Sequence, residues 1–375
     1  MVSFDTVIVG GGLFGLSVGC HILESRRSEN VCILERGIFP TGASTKNAGF
    51  GCFSSFTEFL KEIELFGIEK AVSLLRDRVK GLQLLYKRVG NNADIIKLSG
   101  NYEVIKEAQL PMLAYLDRIN SALRDIFNED VYVIDNSKIQ EFGLNMDVVK
   151  ALVFKKYEWQ VNSGKLVKAL VNKFTVMGGR YLTGTDVKSY HRTTSGTIDV
   201  FVRNPASETN DFLFTTVKLI FCTNSFISQI QKDSDVFPVR DEVMITKPIQ
   251  RLKIHSNLEV DEGLYYLRPV EGRLLIGGGA DLNAKSDQNF EFKNTDEAKH
   301  NLIRSLKELI PSLDFEVDYF WSGIQGFSKD KARFKILRLS DNVYSVFGCA
   351  GQGVSIASIA AERTFELVFK QNPKL

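Results

Sequence analysis

The stretch Thr6–Leu23, TVIVGGGLFGLSVGCHIL, decides how the rest of the chain is read. An apolar run ends in three glycines, and a second apolar run follows with helical spacing. Asp5 to Gly10 reads as a short buried strand, Leu13 to Leu23 as a helix, and Val31 to Glu35 as a second strand. A right-handed crossover makes the two strands parallel. In the turn, Gly10 permits a tight bend, Gly12 lets the backbone approach a pyrophosphate, and Gly15 packs the helix on the strand. Leu13 and Phe14 open that helix, where free N–H groups and the positive dipole end suit phosphate. Glu35 ends the second strand about twenty residues on, where a carboxylate accepts ribose hydroxyls and repels a 2′-phosphate. The same stretch is apolar enough to imitate a leader or a membrane span. Asp5 precedes it, no basic residue does, and glycines interrupt it, so neither is expected.

Composition narrows the rest. A chain of 375 residues exceeds the usual single core, so two interleaved domains are expected. The apolar share of 44% and charged share of 25% are those of a globular protein. Lys plus Arg (47) nearly balances Asp plus Glu (45), which argues against nucleic-acid or membrane-surface partners. The five cysteines are scattered and form no CxxC pair, so no disulfide framework and no metal site is expected, and a cytoplasmic setting fits. Four histidines without paired spacing make a histidine-based mechanism a poor expectation.

After Glu35 the chain turns to FPTGASTKNAGFGCFSS, Phe39 to Ser55, with three glycines and five hydroxyl side chains. Glu58 to about Val89 then reads as helical, Tyr102 to Ile105 as a strand, and Ala108 to Phe127 as an amphipathic helix. Val131 to Ile134 and Val153–Phe154 are short strands, and Gly164 to Met177 is a helix closed by Gly178–Gly179. Tyr181 to Val187, Ile198 to Val202 and Phe214 to Cys222 read as strands, with a hairpin tip at Asn204 to Asp211. Val243 to Ile245, Leu264 to Arg268 and Arg273 to Gly277 read as antiparallel sheet with a turn at Glu271–Gly272. Asn294 to Ile310 is a helix, Val343 to Phe347 a late strand, and Gly351 to Phe369 a final helix.

The fingerprint alone serves NAD and FAD equally. Two features favour FAD: the chain leaves the strand–helix pattern after Glu35, and its end returns to strand, glycine turn and helix. A second helix N-terminus suits the pyrimidine end of a flavin, where negative charge develops on reduction. Six segments in order, TVIVGGGLFGLSVG with ILERG, GASTKNAGF, FCTNSF, YYLRPVEGRLLIGG, WSGIQGFSKD and VFGCAGQGVSIAS, span nearly the whole chain. On these the sequence resembles the D-amino-acid-oxidase-type family of FAD-dependent oxidoreductases, which includes glycine and sarcosine oxidases.

The resemblance implies that Glu35 and Arg36 hold the adenosine ribose, and that Ser44 and Thr45 meet the pyrophosphate. Asn47, Ala48 and Gly49 would lie along the flavin ring, Val187 would clasp the adenine side, and Gly351, Gln352, Gly353 and Val354 would approach the pyrimidine edge. Asn47 stands where covalent relatives often carry a histidine, so the implied FAD is non-covalent, and Cys349 reads as a small buried residue. Amino-acid-oxidising relatives clamp the substrate carboxylate with an arginine where this chain has Gln325, and a neutral amide cannot make that bidentate pair. Arg268, Arg240 and Arg333 are the candidate replacements. Tyr266 is a candidate to face the flavin, and alternation sends Tyr265 and Tyr266 to opposite faces.

The implied fold is α/β: a Rossmann-like FAD-binding domain interleaved with an α+β substrate domain on a mainly antiparallel sheet. The expected division is 1–56, 152–235 and 320–375 for FAD, against 57–151 and 236–319 for the substrate or cap. The implied chemistry is hydride transfer from the carbon next to an amine to FAD, then reoxidation by oxygen or another acceptor. Tyr266, Arg268 and Gln325 are the catalytic candidates. The alternatives are oxidation of a 2-hydroxy acid, a nicotinamide-dependent dehydrogenase, and a flavoprotein without turnover.

Overall fold

The computed structural model describes residues 2–203, 212–232, 234–280, 287–328 and 334–370. The expected hairpin tip at Asn204–Asp211 and the candidate Arg333 lie outside them.

The opening stretch folds as read, with strand Val2–Val9, helix Leu13–Ser25 and strand Val31–Leu34. Val2–Val9 lies between Val31–Leu34 and Phe212–Phe221 in an eight-stranded sheet, parallel to both. All four residues of Val31–Leu34 are buried, as a parallel strand covered on both faces requires. Phe212–Phe221 has two further partners besides Val2–Val9. Its first half pairs antiparallel with Ile198–Arg203, and its second half runs parallel to Val343–Phe347. The expected strand Tyr181 to Val187 divides into Arg180–Leu182 and Asp186–Arg192, both in this sheet.

Helix Leu13–Ser25 packs against the C-terminal helix Gly353–Phe369. Small residues are buried on both, among them Ser17 on the first and Ser355, Ala357 and Ala361 on the second, while Gly19 makes room for helix Ser163–Val176, where a Cβ would stand 2.8 Å from the Phe174 ring.

A second eight-stranded sheet runs Val317–Ser328, Val236–Thr246, Arg273–Gly278, Tyr265–Val270, Asn257–Val260, Asn101–Ile105, Ala151–Lys155, Tyr132–Ile134. It is antiparallel except where Asn257–Val260 meets Asn101–Ile105. Helix Asp296–Leu309 covers one face through Leu302, Leu306 and Leu309, packed with Met244, Leu267 and Ile276. The positions 152 and 320 each fall within a strand of this sheet. The two sheets together make the α/β fold, a dinucleotide-binding sheet joined to a mainly antiparallel one.

Three expected elements are subdivided or extended. The helical run from Glu58 is two helices, Phe56–Phe66 and Ile68–Val89, because Gly67 takes φ +79° between them. The stretch from Ala108 begins as a 3₁₀ helix, Glu107–Tyr115, around Pro111, and turns α-helical only at Leu116. Val243–Ile245 is the end of an eleven-residue strand.

Buried charge is gathered on the second sheet and on the segments that leave it. Lys155 Nζ lies 3.0 Å from Glu158 Oε2 and 2.6 Å from Glu259 Oε2, and the lysine and Glu158 are fully buried. Glu103, on the same sheet, accepts from the backbone N–H groups of Phe56 (2.6 Å) and Thr57 (3.1 Å) at a helix N-terminus.

Candidate functional site

The strands Val2–Val9, Phe212–Phe221 and Val343–Phe347 are parallel, so their C-terminal ends share one edge of the sheet. Glycine turns leave the first and last of these strands there and open the helices Leu13–Ser25 and Gly353–Phe369. Two sets of free helix N–H groups therefore meet at the edge where dinucleotides bind.

At the first turn there is no room for side chains. A Cβ on Gly12 would stand 2.6 Å from Ser44 Oγ, and one on Gly15 would stand 1.9 Å from the Gly10 carbonyl oxygen. Ser44 Oγ accepts from Leu13 N at 2.9 Å, which ties the loop after Glu35 to the helix end. Phe14 is half-buried beside it. Glu35 accepts from Gly11 N at 2.8 Å and from Gly37 N at 2.9 Å. Each carboxylate oxygen keeps a second lone pair for a hydroxyl donor. Tyr181, which the sequence reading did not single out, pins the same turn by donating its hydroxyl to Gly11 O at 2.8 Å.

The remaining expected residues fall around this edge. Arg36 turns its guanidinium over the Phe226 ring, 3.9 Å from the centroid. Val187 is buried in the strand that begins beside Glu35, where Thr185 N donates to Glu35 O at 2.9 Å. Thr45 donates its hydroxyl to Pro40 O at 2.6 Å. Asn47 knits its own loop: its amide donates to Ala43 O and Ser44 O, and its Oδ1 accepts from Gly49 N and Ser163 Oγ. At the C-terminal turn Gly351 has φ +80°, Gln352 caps the last helix, and Val354 is buried in its first turn. The Cys349 thiol is raised by burial and accepts from Asn224 Nδ2 at 3.5 Å.

The loop Lys46–Phe50 packs against the second sheet on the face away from helix Asp296–Leu309. Ala48 and Phe50 meet Val243, Leu275, Tyr266 and Trp321 in an apolar cluster. Trp321 Nε1 donates to Lys46 O at 2.9 Å, and Arg268 donates to the carbonyls of Ala48 and Val161. Burial lowers the Arg268 guanidinium to about 10.

The expected alternation holds. Tyr266 and Arg268 share the face toward Ala48, and Tyr265 packs with the cluster under helix Asp296–Leu309. Tyr266 Oη donates to Asp241 Oδ2 at 2.8 Å, and Gln325 Nε2 donates to the same oxygen at 2.8 Å. Asp241 Oδ1 accepts from Glu242 N at 3.0 Å. Burial pushes the Asp241 carboxyl up to about 6, against the pull of its three donors. The acceptor end of the Gln325 amide, Oε1, is buried without a partner. That oxygen lies 3.4 Å from where a Cβ on Gly351 would be. Tyr266, Asp241 and Gln325 thus form one polar set between the loop at Ala48 and the glycine turn at Gly351.

Arg240 lies on the opposite face of its strand, 3.4 Å from Glu242 and 3.1 Å from Asp287. Asp241 is the residue that sequence reasoning missed. Alternation in VFPVRDEVMIT puts Asp241 with Val239 and Val243, but Arg240 and Glu242 on the other face are buried too, so the pattern does not mark Asp241 out.

FAD fits this donor set. Two helix N-termini and hydroxyls suit its phosphates, the Glu35 carboxylate suits a ribose, and turns without side chains suit a flat ring. The geometry defines a class: α/β proteins whose dinucleotide-binding sheet faces a mainly antiparallel sheet across a cofactor site.

Residues 5–367 match the family described as FAD dependent oxidoreductase, and the chain belongs to that family. Among curated proteins it is similar to gamma-glutamylputrescine oxidoreductase of Escherichia coli, 22% identical over 386 residues, covering 98% of this chain and 84% of that protein. Among solved structures it is similar to L-proline dehydrogenase from P. horikoshii, with TM-score 0.80, 18% identity, and 100% and 95% of the two chains covered. Glycine oxidase from Geobacillus kaustophilus gives TM-score 0.77 and 19% identity over 100% and 97%. These likenesses establish the shared fold. Among the described residues no helix is long and apolar enough to cross a membrane.

Proposed function

We propose that this protein is an oxidoreductase that removes a hydride from the carbon next to an amine, with FAD held non-covalently. One observation carries the reading. The two glycine turns open helices at one edge of a parallel sheet, and the buried polar set Tyr266–Asp241–Gln325 lies between the segments that flank that edge. Family membership supports FAD over a nicotinamide cofactor, and the names of the three proteins given above each concern an amine or an amino acid.

FAD, when bound, supplies the hydride acceptor. The chain's own residues orient the substrate and keep the site dry. Gly10, Gly12, Leu13, Phe14 and Gly15 would receive the phosphates with Ser44 and Thr45, while Glu35 and Arg36 take the ribose and Val187 the adenine side. Asn47, Ala48 and Gly49 form one wall of the ring site, and Gly351, Gln352, Gly353 and Val354 form its far edge. Arg268 and Trp321 hold the first wall in place through their bonds to Ala48 O and Lys46 O. Tyr266 meets Phe50 edge to face, with centroids 5.4 Å apart, and excludes water beside the polar set. Positioning of this kind, without a protein base, is the main demand of hydride removal from an amine. The imine product would be hydrolysed by water, and oxygen or another acceptor would take the electrons in the end. In the same reading 1–56, 152–235 and 320–375 serve the cofactor, and 57–151 and 236–319 serve the substrate.

Anaerobic mixing of the FAD-loaded protein with amines, amino acids and 2-hydroxy acids tests the reading. Amines or amino acids should bleach the flavin. Bleaching by 2-hydroxy acids alone would replace the amine by an alcohol, and a flavin bleached by none would leave a protein without turnover. Acid precipitation should release free FAD, whereas flavin retained on the pellet would refute non-covalent binding.

A further inference from the structure

We propose that the buried carboxylate of Asp241, acting through Tyr266 and Gln325, selects substrates whose reacting end is a cationic amine with no carboxylate beside it. This deepens the amine-oxidising reading and rests on it.

The polar set is rich in acceptors and poor in cations. Asp241 is 8% exposed, and among the described residues no lysine or arginine makes an ion pair with it. Its three partners are neutral donors: the Tyr266 hydroxyl, the Gln325 amide and the Glu242 backbone N–H. Gln325 Oε1, also buried, has no donor and faces the Gly351 turn. Tyr266 gives its only proton to Asp241, so it offers the site lone pairs alone.

Among the described residues the nearby cations are committed elsewhere. Arg268 gives its bonds to Ala48 O and Val161 O. Arg240 sits on the other sheet face with Glu242 and Asp287. The Lys46 ammonium stacks on the Phe292 ring, 4.0 Å from its centroid.

An ammonium group brings N–H donors and the missing positive charge to such a lining, and it gives one proton to water before the hydride leaves the carbon next to the neutral amine. A carboxylate brings more acceptors and a second negative charge into a desolvated site, which like-charge repulsion disfavours. Asp241 is a positioning residue here: it fixes the direction of the Tyr266 proton and of the Gln325 amide, and so leaves acceptors facing the substrate.

The test uses the FAD-loaded full chain and two probes of equal shape, tert-butylamine and pivalate. The carbon next to nitrogen in tert-butylamine carries no hydrogen, so it binds without being oxidised. Binding is followed by the shift of the flavin visible spectrum at pH 8. The expected result is at least ~10-fold tighter binding of the amine than of pivalate, a ratio that Asp241→Asn erases. Equal binding of the two probes, or an unchanged ratio in Asp241→Asn, overturns the proposal.

A second measurement needs no variant. The groups facing or flanking Asp241 are Gln325 on the adjacent strand, Tyr266 reaching across Gly277 from the next strand but one, Glu242 next in sequence, and Asp287, whose charge adds to the rise of the Asp241 carboxyl. From pH 8 to pH 5 the Asp241 carboxylate takes up a proton while tert-butylamine stays cationic. Its affinity should fall about tenfold, and an affinity flat with pH overturns the proposal. Bleaching by n-butylamine under the same conditions tests oxidation separately. Strong amine selectivity without any bleaching would sink the oxidoreductase reading alone. Bleaching with a probe ratio near one would sink the present proposal alone.

Discussion

Replacing Gly15 by alanine tests the turn on which the fold and the cofactor site both depend. A Cβ there would lie 1.9 Å from the Gly10 carbonyl oxygen and 3.4 Å from Ile8 Cγ2, in a helix that is buried at this point. The first neighbour is backbone and cannot swing aside, so the helix and the strand must separate by about 1 Å in a densely packed interior. Overpacking of this kind costs ~1–3 kcal/mol. Separation also carries the start of the helix, with Ser44 tied to Leu13 N, away from the phosphate position, so FAD affinity should fall at least ~10-fold. Gly164→Ala is the matched control. It lies in helix Ser163–Val176 with its nearest neighbour 3.7 Å away, so alanine should stabilise the helix by up to about 1 kcal/mol. Urea unfolding of the apoprotein and fluorimetric FAD titration read the two effects separately. A Gly15→Ala protein as stable as Gly164→Ala, with wild-type FAD affinity, would refute the packing argument.

Gly12→Glu should abolish FAD binding, because the new carboxylate takes the space and the charge position of the pyrophosphate; full flavin occupancy in a folded variant would contradict the fingerprint assignment. Stability should depend on pH through the buried carboxyls. Burial pushes Glu103 up to about 7 from an ordinary 4.5, and Glu158 rises for the same reason. The native state therefore holds protons that the unfolded chain releases, and stability falls as pH rises from about 4.5 toward 7, by at most ~1.4 kcal/mol per pH unit for each group. Glu103→Gln should flatten part of that slope in urea unfolding between pH 5 and pH 8, and an unchanged slope would show that Glu103 does not titrate in this window.

How far the sequence could be read follows from how local each signal was. Thr6–Leu23 and Val31–Glu35 carry their own strand, turn and helix chemistry, and they fold as expected. Gly67 was invisible inside an apolar period because one positive φ breaks a helix without breaking the pattern. Pro111 was plain in the sequence, yet the pattern around it reads helical, and only the tighter 3₁₀ winding accommodates it. Val236–Thr246 was legible only at its apolar end. Arg240, Asp241 and Glu242 look like a solvated turn, and they are buried because the neighbouring strand Val317–Ser328 and partners far along the chain enclose them. Lys155, Glu158 and Glu259 were unreadable for the same reason: a buried ion cluster is assembled by topology, not by spacing. The site followed the same rule. Its glycine turns were legible, and the carboxylate beneath Tyr266 and Gln325 was not.

The central claim, removal of hydride from the carbon next to an amine, is tested most directly by single-turnover reduction of the FAD-loaded protein under anaerobic conditions. The amine that bleaches the flavin fastest is compared with the same amine carrying deuterium on that carbon. The predicted result is bleaching slowed several-fold by deuterium. Bleaching at an unchanged rate when chemistry limits the turnover, or no bleaching by any amine, would contradict the account.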